Sequence, residues 1–392
     1  MATDTIVLKP GRDKSVRARH PWVFSGAISA MPKGLSGELL PVAAADGTLL
    51  GMALCTRGSQ IVARMLTFDG CIRTPQEIFS KHIFEALQLR QALFTNKPTT
   101  AYRLINAEGD GLPGLIVDKY NTALVLQITT SGMERYKELI VQELIQAVHP
   151  SWIYEKSTSP SRKEEGLAAA QATLYGMPSA RMQIQENGHT FYVSPIEGQK
   201  TGFFLDQRNQ REEVARYAHG RRVLNCFSYT GGFSIYALAG GALSCDSVDV
   251  SAEAIAQVSE HIVVNHLDHI PHQEYVEDVF QFLRRESLPY YFIILDPPAF
   301  AKRKSDVMQA ARGYKEINRL SFMRLPPRSL LMTSSCSYHV DETLFRQVLF
   351  QAALDAGRDV RIIGRHRLAE DHPLNIYHPE GAYIKTCLCY VA

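Results

Sequence analysis

The chain has 392 residues, with 42 Lys and Arg against 40 Asp and Glu, a formal net charge of +2. Apolar residues make up 45% and charged residues 21%, which excludes disordered, collagenous and coiled-coil chains. Such a length calls for two or three domains, and the near-neutral total excludes a protein that grips nucleic acid by bulk charge.

The start, Met1 to Thr5, has no basic end followed by an apolar run, so no secretory signal is expected. No apolar stretch approaches a membrane span. The seven cysteines, Cys55, Cys71, Cys226, Cys245, Cys336, Cys387 and Cys389, are irregularly spaced with no Cys-x-x-Cys pair. This pattern predicts reduced thiols in a cytoplasmic protein, without a disulfide framework or metal site.

In chain order, residues 1–73 hold short alternating runs, 37–42, 49–54 and 61–68, broken by Gly and Pro. Asp46-Gly47 between two of them reads as a hairpin turn, and the region as a small β-barrel. Residues 74–185 read as a connecting α/β domain. It has a helix over 76–94, strands at 115–118 and 123–128 joined by a Lys119-Tyr120-Asn121 turn, and a helix over 134–148. Glu108 to Gly114 is a tight loop by composition. From 186 to 392, strands (222–227, 247–250, 274–276, 291–295, 330–333, 360–364, 382–390) alternate with helices (from 233, then 252–266, 279–285, 341–356). This predicts an α/β, doubly wound, Rossmann-like fold with a mostly parallel seven-stranded sheet, whose ligands sit outside the carboxyl ends of the strands.

The candidate chemistry falls at those ends. After the first strand, Phe227-Ser228-Tyr229-Thr230-Gly231-Gly232 brings backbone close to a ligand. There is no G-x-G-x-x-G and no Walker lysine, which disfavours dinucleotides and phosphates. Asp249, eighteen residues after Gly231, ends the second strand where a carboxylate can accept ribose hydroxyls. Asp278 follows the third. A diglycine turn with an acidic second strand end fits S-adenosylmethionine, which has no phosphates. Phe227, Tyr229, Thr230, Gly231, Gly232, Asp249 and Asp278 are the candidate cofactor contacts. The alternative is a plain βα turn with Asp249 as a helix N-cap.

The fourth strand ends at Asp296-Pro297-Pro298-Ala299-Phe300, whose prolines stiffen the chain and hold the aspartate toward a flat polar ring or the cofactor. Amino-group methyltransferases carry an aromatic directly after two prolines; the intervening Ala299 weakens that reading. The fifth strand ends at Ser334-Ser335-Cys336-Ser337, and Cys336 is expected to face the same pocket as Asp296. Carbon 5 of a pyrimidine is a poor nucleophile until a thiolate adds to carbon 6, so such chemistry needs a cysteine beside a group that binds the ring edge. Cys336 is the candidate nucleophile and Asp296 its catalytic companion. Cys226, in the cofactor loop, is the rival and is expected to pack.

The chain resembles the bacterial 23S ribosomal RNA cytosine-C5 methyltransferase I family, nearly end to end. The resemblance is carried by Lys9 to Arg12, Arg19 to Gly26, Glu108 to Gly114, Lys200 to Arg208, Asn225 to Phe233, Asp296 to Phe300, Arg312 to Lys315 and Ser335 to Ser337. It implies an N-terminal PUA domain, a connecting domain and a C-terminal class I methyltransferase domain. It implies S-adenosylmethionine as donor, cytosine in 23S RNA as acceptor (position 1962 in standard numbering), Cys336 as nucleophile and a homodimer. The Lys200–Arg208 loop, with Gln207, is implied to close over the cofactor. Two features depart from the family: Ala299 replaces a usual Lys, and Leu325-Pro326-Pro327-Arg328 replaces a glycine turn. Where a related family of RNA methylases has a second cysteine beside the prolines this chain has none, which leaves the base that removes the carbon-5 proton unassigned.

For RNA contacts, Lys9, Arg12, Lys14, Arg17 and Arg19 crowd against a single acid, Asp13, with Trp22 and Phe24 following. The cations are expected to meet phosphates, and the two aromatics to pack the barrel. Lys302, Arg303, Arg312 and Lys315 form a second basic group at the mouth of the pocket, placed to hold the strand of a flipped base. Residues 1–73 carry nine Lys and Arg against five acids, and the remainder 33 against 35. The competing readings are methylation of an exocyclic amine on RNA or protein, and a non-catalytic RNA-binding assembly factor.

Overall fold

The computed structural model describes residues 4–285, 289–301 and 303–392. The chain divides into two compact units. One comprises Met1–Gly188, Tyr192–Leu205 and Glu370–Gly381; the other comprises His189–Phe191, Asp206–Ala369 and Ala382–Ala392.

The first unit opens with β1 (Ile6–Leu8), α1 (Lys14–Arg17), β2 (Trp22–Phe24), β3 (Ile28–Ala30), β4 (Leu39–Ala43), β5 (Leu49–Cys55) and β6 (Ile61–Met65). The strands form a six-stranded sheet in the order β2-β6-β5-β4-β1-β3. The β4–β5 hairpin turns at Asp46-Gly47, where Gly47 has φ +86° and Asp46 Oδ1 accepts the Thr48 N–H at 2.9 Å. Ile6, Leu8, Val23, Val42, Ala53 and Met65 fill the interior of this sheet.

Next comes α2 (Pro75–Phe94), started by a Thr74/Glu77 capping box with proline in its first turn. A second sheet, in the order β11-β10-β9-β8-β7, contains β7 (Ala101–Asn106), β8 (Leu115–Tyr120), β9 (Ala123–Ile128), β10 (Trp152–Ser157) and β11 (Ala170–Gly176). Tyr120 belongs to β8, so the expected Lys-Tyr-Asn turn shifts to Asn121-Thr122, with Asn121 at φ +53°. The expected 134–148 helix begins earlier and breaks at Tyr136 into α3 (Ser131–Arg135) and α4 (Lys137–Val148). Strands β7 and β10 escape a periodicity reading because they bury charge: Arg103 on β7 pairs with Asp118, and Glu155 on β10 pairs with Lys137. The short α5 (Ser161–Glu164), β12 (Met182–Glu186) and β13 (His189–Val193) follow.

The second unit contains α6 (Arg208–Ala218), β14 (Arg222–Cys226), α7 (Gly232–Ala239), β15 (Ser244–Asp249), α8 (Ala252–Val264), β16 (Glu274–Val276) and α9 (Val279–Leu283). It continues with β17 (Phe292–Leu295), α10 (Val307–Arg324), β18 (Ser329–Ser335), α11 (Glu342–Asp355), β19 (Val360–His366) and β20 (Lys385–Val391). The sheet order is β16-β15-β14-β17-β18-β20-β19. The strands from β16 to β18 run parallel, and β20 is antiparallel to both its neighbours. This is the expected doubly wound sheet. Its order reverses between β14 and β17, the switch point where such folds bind ligands.

Apolar periodicity does not announce helices α6 and α10. The buried face of α6 includes Arg208, Gln210 and Arg211, which hides its amphipathicity, and α10 carries nearly as many polar as apolar positions. The Leu325–Arg328 turn works without glycine: Arg328 itself takes φ +66° and donates its N–H to the Val391 carbonyl at 2.8 Å. No helix among the described residues is long and apolar enough to cross a membrane.

Candidate active site

The exit of β14 is bent sharply. Phe227 and Tyr229 sit at φ +57° and +47°, a left-handed conformation uncommon for non-glycine residues, and Gly231 follows at φ +82°. A Cβ on Gly231 would lie 2.9 Å from Val258 Cγ1, so glycine is required both for conformation and for α8 to approach. Asp249 holds this loop. Its Oδ2 accepts the Tyr229 N–H and its Oδ1 the Ser251 N–H, each at 2.9 Å. The N-cap of α8 is Ser251, not Asp249, so the capping alternative for Asp249 fails. The half-buried carboxylate keeps further lone pairs for ligand hydroxyls.

The remaining candidates at this end differ in exposure. Thr230 is buried, and its carbonyl lies 2.8 Å from His261 Nδ1; Phe227 packs at the edge of the apolar core; Gly232 opens α7. Asp278 is exposed and caps α9 through the Gln281 N–H at 3.0 Å, a structural task beyond the expected cofactor contact.

At the other end, β17 is wholly buried and delivers Asp296 at its exit. Gln207 Nε2 donates to Asp296 Oδ1 at 2.8 Å, joining two expected site residues 89 positions apart. Parallel pairing of Leu295 with Thr333 brings the exits of β17 and β18 side by side. There Cys336 Sγ contacts the Pro297 carbonyl at 3.6 Å. Cys336 is partly exposed, whereas Cys226, Cys245, Cys387 and Cys389 are buried. Burial pushes the Cys245 thiol up to about 12 and Cys387 to about 11, and raises Cys226 further, so the rival in the cofactor loop is an inert core thiol.

Three residues around Cys336 make contacts that the sequence pattern does not reveal. Ser337 Oγ accepts the Ala301 N–H at 3.1 Å and lies 2.9 Å from the Tyr314 hydroxyl. Tyr314 stands against Phe300, ring centroids 4.6 Å apart, and a Cβ on neighbouring Gly313 would lie 3.2 Å from that ring. Lys385 Nζ donates to the Ser337 carbonyl at 2.7 Å. A lone lysine opening the apolar run Cys387 to Val391 is the available signal.

The basic candidates separate. Lys9, Arg12, Lys14 and Arg19 are exposed, and the Arg19 guanidinium lies 5.7 Å from the Phe68 ring and 5.5 Å from Tyr377. Arg17 is exposed but paired with Asp13 at 2.5 Å. Trp22 is half-buried and donates Nε1–H to Glu108 at 2.9 Å; Phe24 is 48% exposed, so it does not pack the barrel as expected. Arg303 and Arg312 are exposed, while Lys315 pairs with Asp355 at 3.0 Å. Lys302 lies outside the described residues.

The strand ends fit S-adenosylmethionine. Among the described residues, Gln207 Oε1 and Ser228 Oγ are buried without a hydrogen-bond partner, beside Asp296 and within the Asp249-held loop respectively. Such orphaned polar atoms suit a ligand with amino, carboxylate and ribose groups.

Comparison with known proteins agrees. Residues 156–345 match an S-adenosylmethionine-dependent methyltransferase family and residues 6–68 a PUA-like domain. The chain is 42% identical over 388 residues to ribosomal RNA large subunit methyltransferase I of Shewanella denitrificans, covering 97% of each. It is 40% identical over 395 residues to the protein of that name from Yersinia pestis, covering 99% of this chain and all of that one. A solved structure described as a SAM-dependent methyltransferase from Streptococcus mutans superposes with TM-score 0.84 at 26% identity, covering 99% of this chain and all of that one. A methyltransferase structure complexed with SAH, at the same coverage and identity, gives 0.85. S-adenosylmethionine is the cofactor, and the chain belongs to the ribosomal RNA large subunit methyltransferase I family.

Proposed function

We propose that this chain methylates carbon 5 of a cytosine in 23S ribosomal RNA through a transient bond between Cys336 and carbon 6 of the base. The observation that carries the reading is the placement of Cys336. It is the partly exposed thiol of the methyltransferase unit, at the exit of β18 and against the Asp296-Pro297 turn.

Asp249, Gly231, Thr230 and Gln207 would hold the cofactor, which supplies an electrophilic methyl carbon on a sulfonium. Asp296, oriented by Gln207, would bind the polar edge of the flipped cytosine. The Cys336 thiolate would form the Sγ–C6 bond as the C5–C6 π pair moves to carbon 5; that pair would then bond the methyl carbon, the S–CH3 bond of the bound cofactor breaking to leave S-adenosylhomocysteine. Loss of the carbon-5 proton to a base would turn the C5–H bond pair into the restored C5–C6 double bond, and the Sγ–C6 bond would break with its pair leaving as thiolate.

The exposed cations Lys9, Arg12, Lys14 and Arg19, on a PUA-like module, support phosphate contacts, with Arg303 and Arg312 as a second group. The assignment of 1–73 to RNA binding, 74–185 to connection and 186–392 to methyl transfer belongs to the same proposal. So do cytosine 1962 as the target and a homodimeric assembly.

Nucleoside mass spectrometry of 23S RNA, from cells with and without the protein, tests the reading. Loss of one 5-methylcytidine on deletion is the expected result. Loss of an N-methylated base would select the exocyclic-amine alternative, and an unchanged nucleoside profile would refute methylation of this RNA.

A further inference from the structure

Lys385 opens β20 and pairs across the sheet with Ser335, the last residue of β18. It is only 9% exposed. Its Nζ donates to the carbonyls of Ser337 (2.7 Å) and Tyr383 (2.9 Å), so the side chain reaches past Cys336 and ties down the residue that follows it. Among the described residues no carboxylate lies within ion-pairing distance of this ammonium. Two neutral carbonyls satisfy hydrogen bonds but do not offset a buried charge. Burial draws Lys385 down to about 8, and the opposing pull comes first from Cys336 and then from Asp341.

Attraction between two ionisable groups is mutual: a thiolate that favours the ammonium is favoured by it. The thiol needs such help. The carbonyl of Pro297 faces Sγ, and the adjoining Asp296 is an acid whose charge opposes a second anion. Tyr314, on α10, also senses Cys336, and burial keeps its phenol protonated. Asp341 at the start of α11 adds negative charge, and Lys385 brings a cation to this set of described residues.

We propose that Lys385 is a positioning residue for Cys336: it clamps the Ser335–Ser337 turn and sets an ammonium beside the thiol, so that the nucleophile is held as thiolate. The inference rests on the reading of Cys336 as nucleophile, but it concerns thiol ionisation and can be tested without RNA.

The experiment is alkylation of the full chain by iodoacetamide across pH 5.5–10, with the rate at Cys336 read by peptide mass spectrometry. In the wild-type chain the rate should inflect below the roughly 8.5 of a free thiol. In Lys385→Met the inflection should rise by about one unit, with a several-fold slower rate at pH 7, and Lys385→Arg should restore the low value. Titration with S-adenosylhomocysteine confirms that each variant is folded. A wild-type inflection at or above that of a free thiol overturns the proposal whatever the variants do. So does an unchanged profile in Lys385→Met that still binds S-adenosylhomocysteine. Neither result touches the assignment of Cys336, which stands or falls on the product nucleoside together with the activity of Cys336→Ala.

Discussion

The two units place much of their charge differently. In the first, charged side chains are scaffolding buried as pairs: Arg103 grips Asp118 at 2.7 and 3.0 Å, Arg90 grips Asp110 at 2.5 and 2.8 Å, and Arg64 meets Glu165 at 2.8 Å. In the second, the central strand β17 is wholly apolar, and β14 is apolar but for Arg222 and Asn225. Polar side chains gather instead at their carboxyl ends, around Asp249, Asp296 and Cys336. A charge count alone misreads the first unit. Of the nine cations in residues 1–73, Arg64 is buried against Glu165, and Arg17, Arg57 and Arg73 face acids within the same region. Free cations on that module are therefore fewer than its composition implies.

The contrast predicts that substitutions in the two units fail differently. The largest effect is expected from Cys336→Ala. Removal of the proposed nucleophile should reduce methyl transfer by at least about a thousandfold, roughly 4 kcal/mol of barrier. Affinity for S-adenosylhomocysteine and the urea midpoint should stay near wild type, because Cys336 is partly exposed and outside the core. Methylation that persists in this variant would end the covalent mechanism.

In the first unit the corresponding lesion is Arg103→Met. It strands the Asp118 carboxylate, which is fully buried and also accepts from Thr201. Breaking one side of a buried pair costs about 3–5 kcal/mol. The expected signature is a large drop in the urea midpoint, with methyl transfer per folded molecule nearly unchanged. An unaltered midpoint would mean that the pair is replaceable scaffolding, and the contrast between the units would weaken.

The same contrast explains what the sequence reveals. The strand–helix alternation of the second unit is visible because its strands are apolar, so the residue pattern alone assigns Asp296 and Cys336 to strand ends. Strands β7 and β10 are not visible in that pattern because Arg103, Glu155 and Lys156 interrupt it, and the burial that makes those residues structural depends on partners distant in sequence. Lys385 is hidden for another reason. Its relation to Cys336 comes from the antiparallel register of β20 on β18, and no local spacing encodes that pairing. Phe24 departs from its expected place in the barrel because β2 alternates: Val23 faces the interior, which puts its neighbours Trp22 and Phe24 on the other face.

The smallest of these effects sharpens the reading of the second unit. Gln207 is 3% exposed, and its amide donates to Asp296 Oδ1 at 2.8 Å while Oε1 has no partner among the described residues. In the proposed site the side chain is therefore divided between orienting the acid and offering an acceptor to the cofactor. Gln207→Leu keeps the bulk but removes both functions, and should lower kcat about tenfold, or 1.4 kcal/mol, with a weaker rise in KM for S-adenosylmethionine. Gln207→Glu should be worse than Leu at pH 8, since it sets a second carboxylate against Asp296, and should recover toward the Leu level at pH 5.5 as the pair takes up a proton. Activity of Gln207→Leu within twofold of wild type would show that Asp296 is oriented without it. A KM effect alone would assign Gln207 to the cofactor and leave the acid to its other contacts.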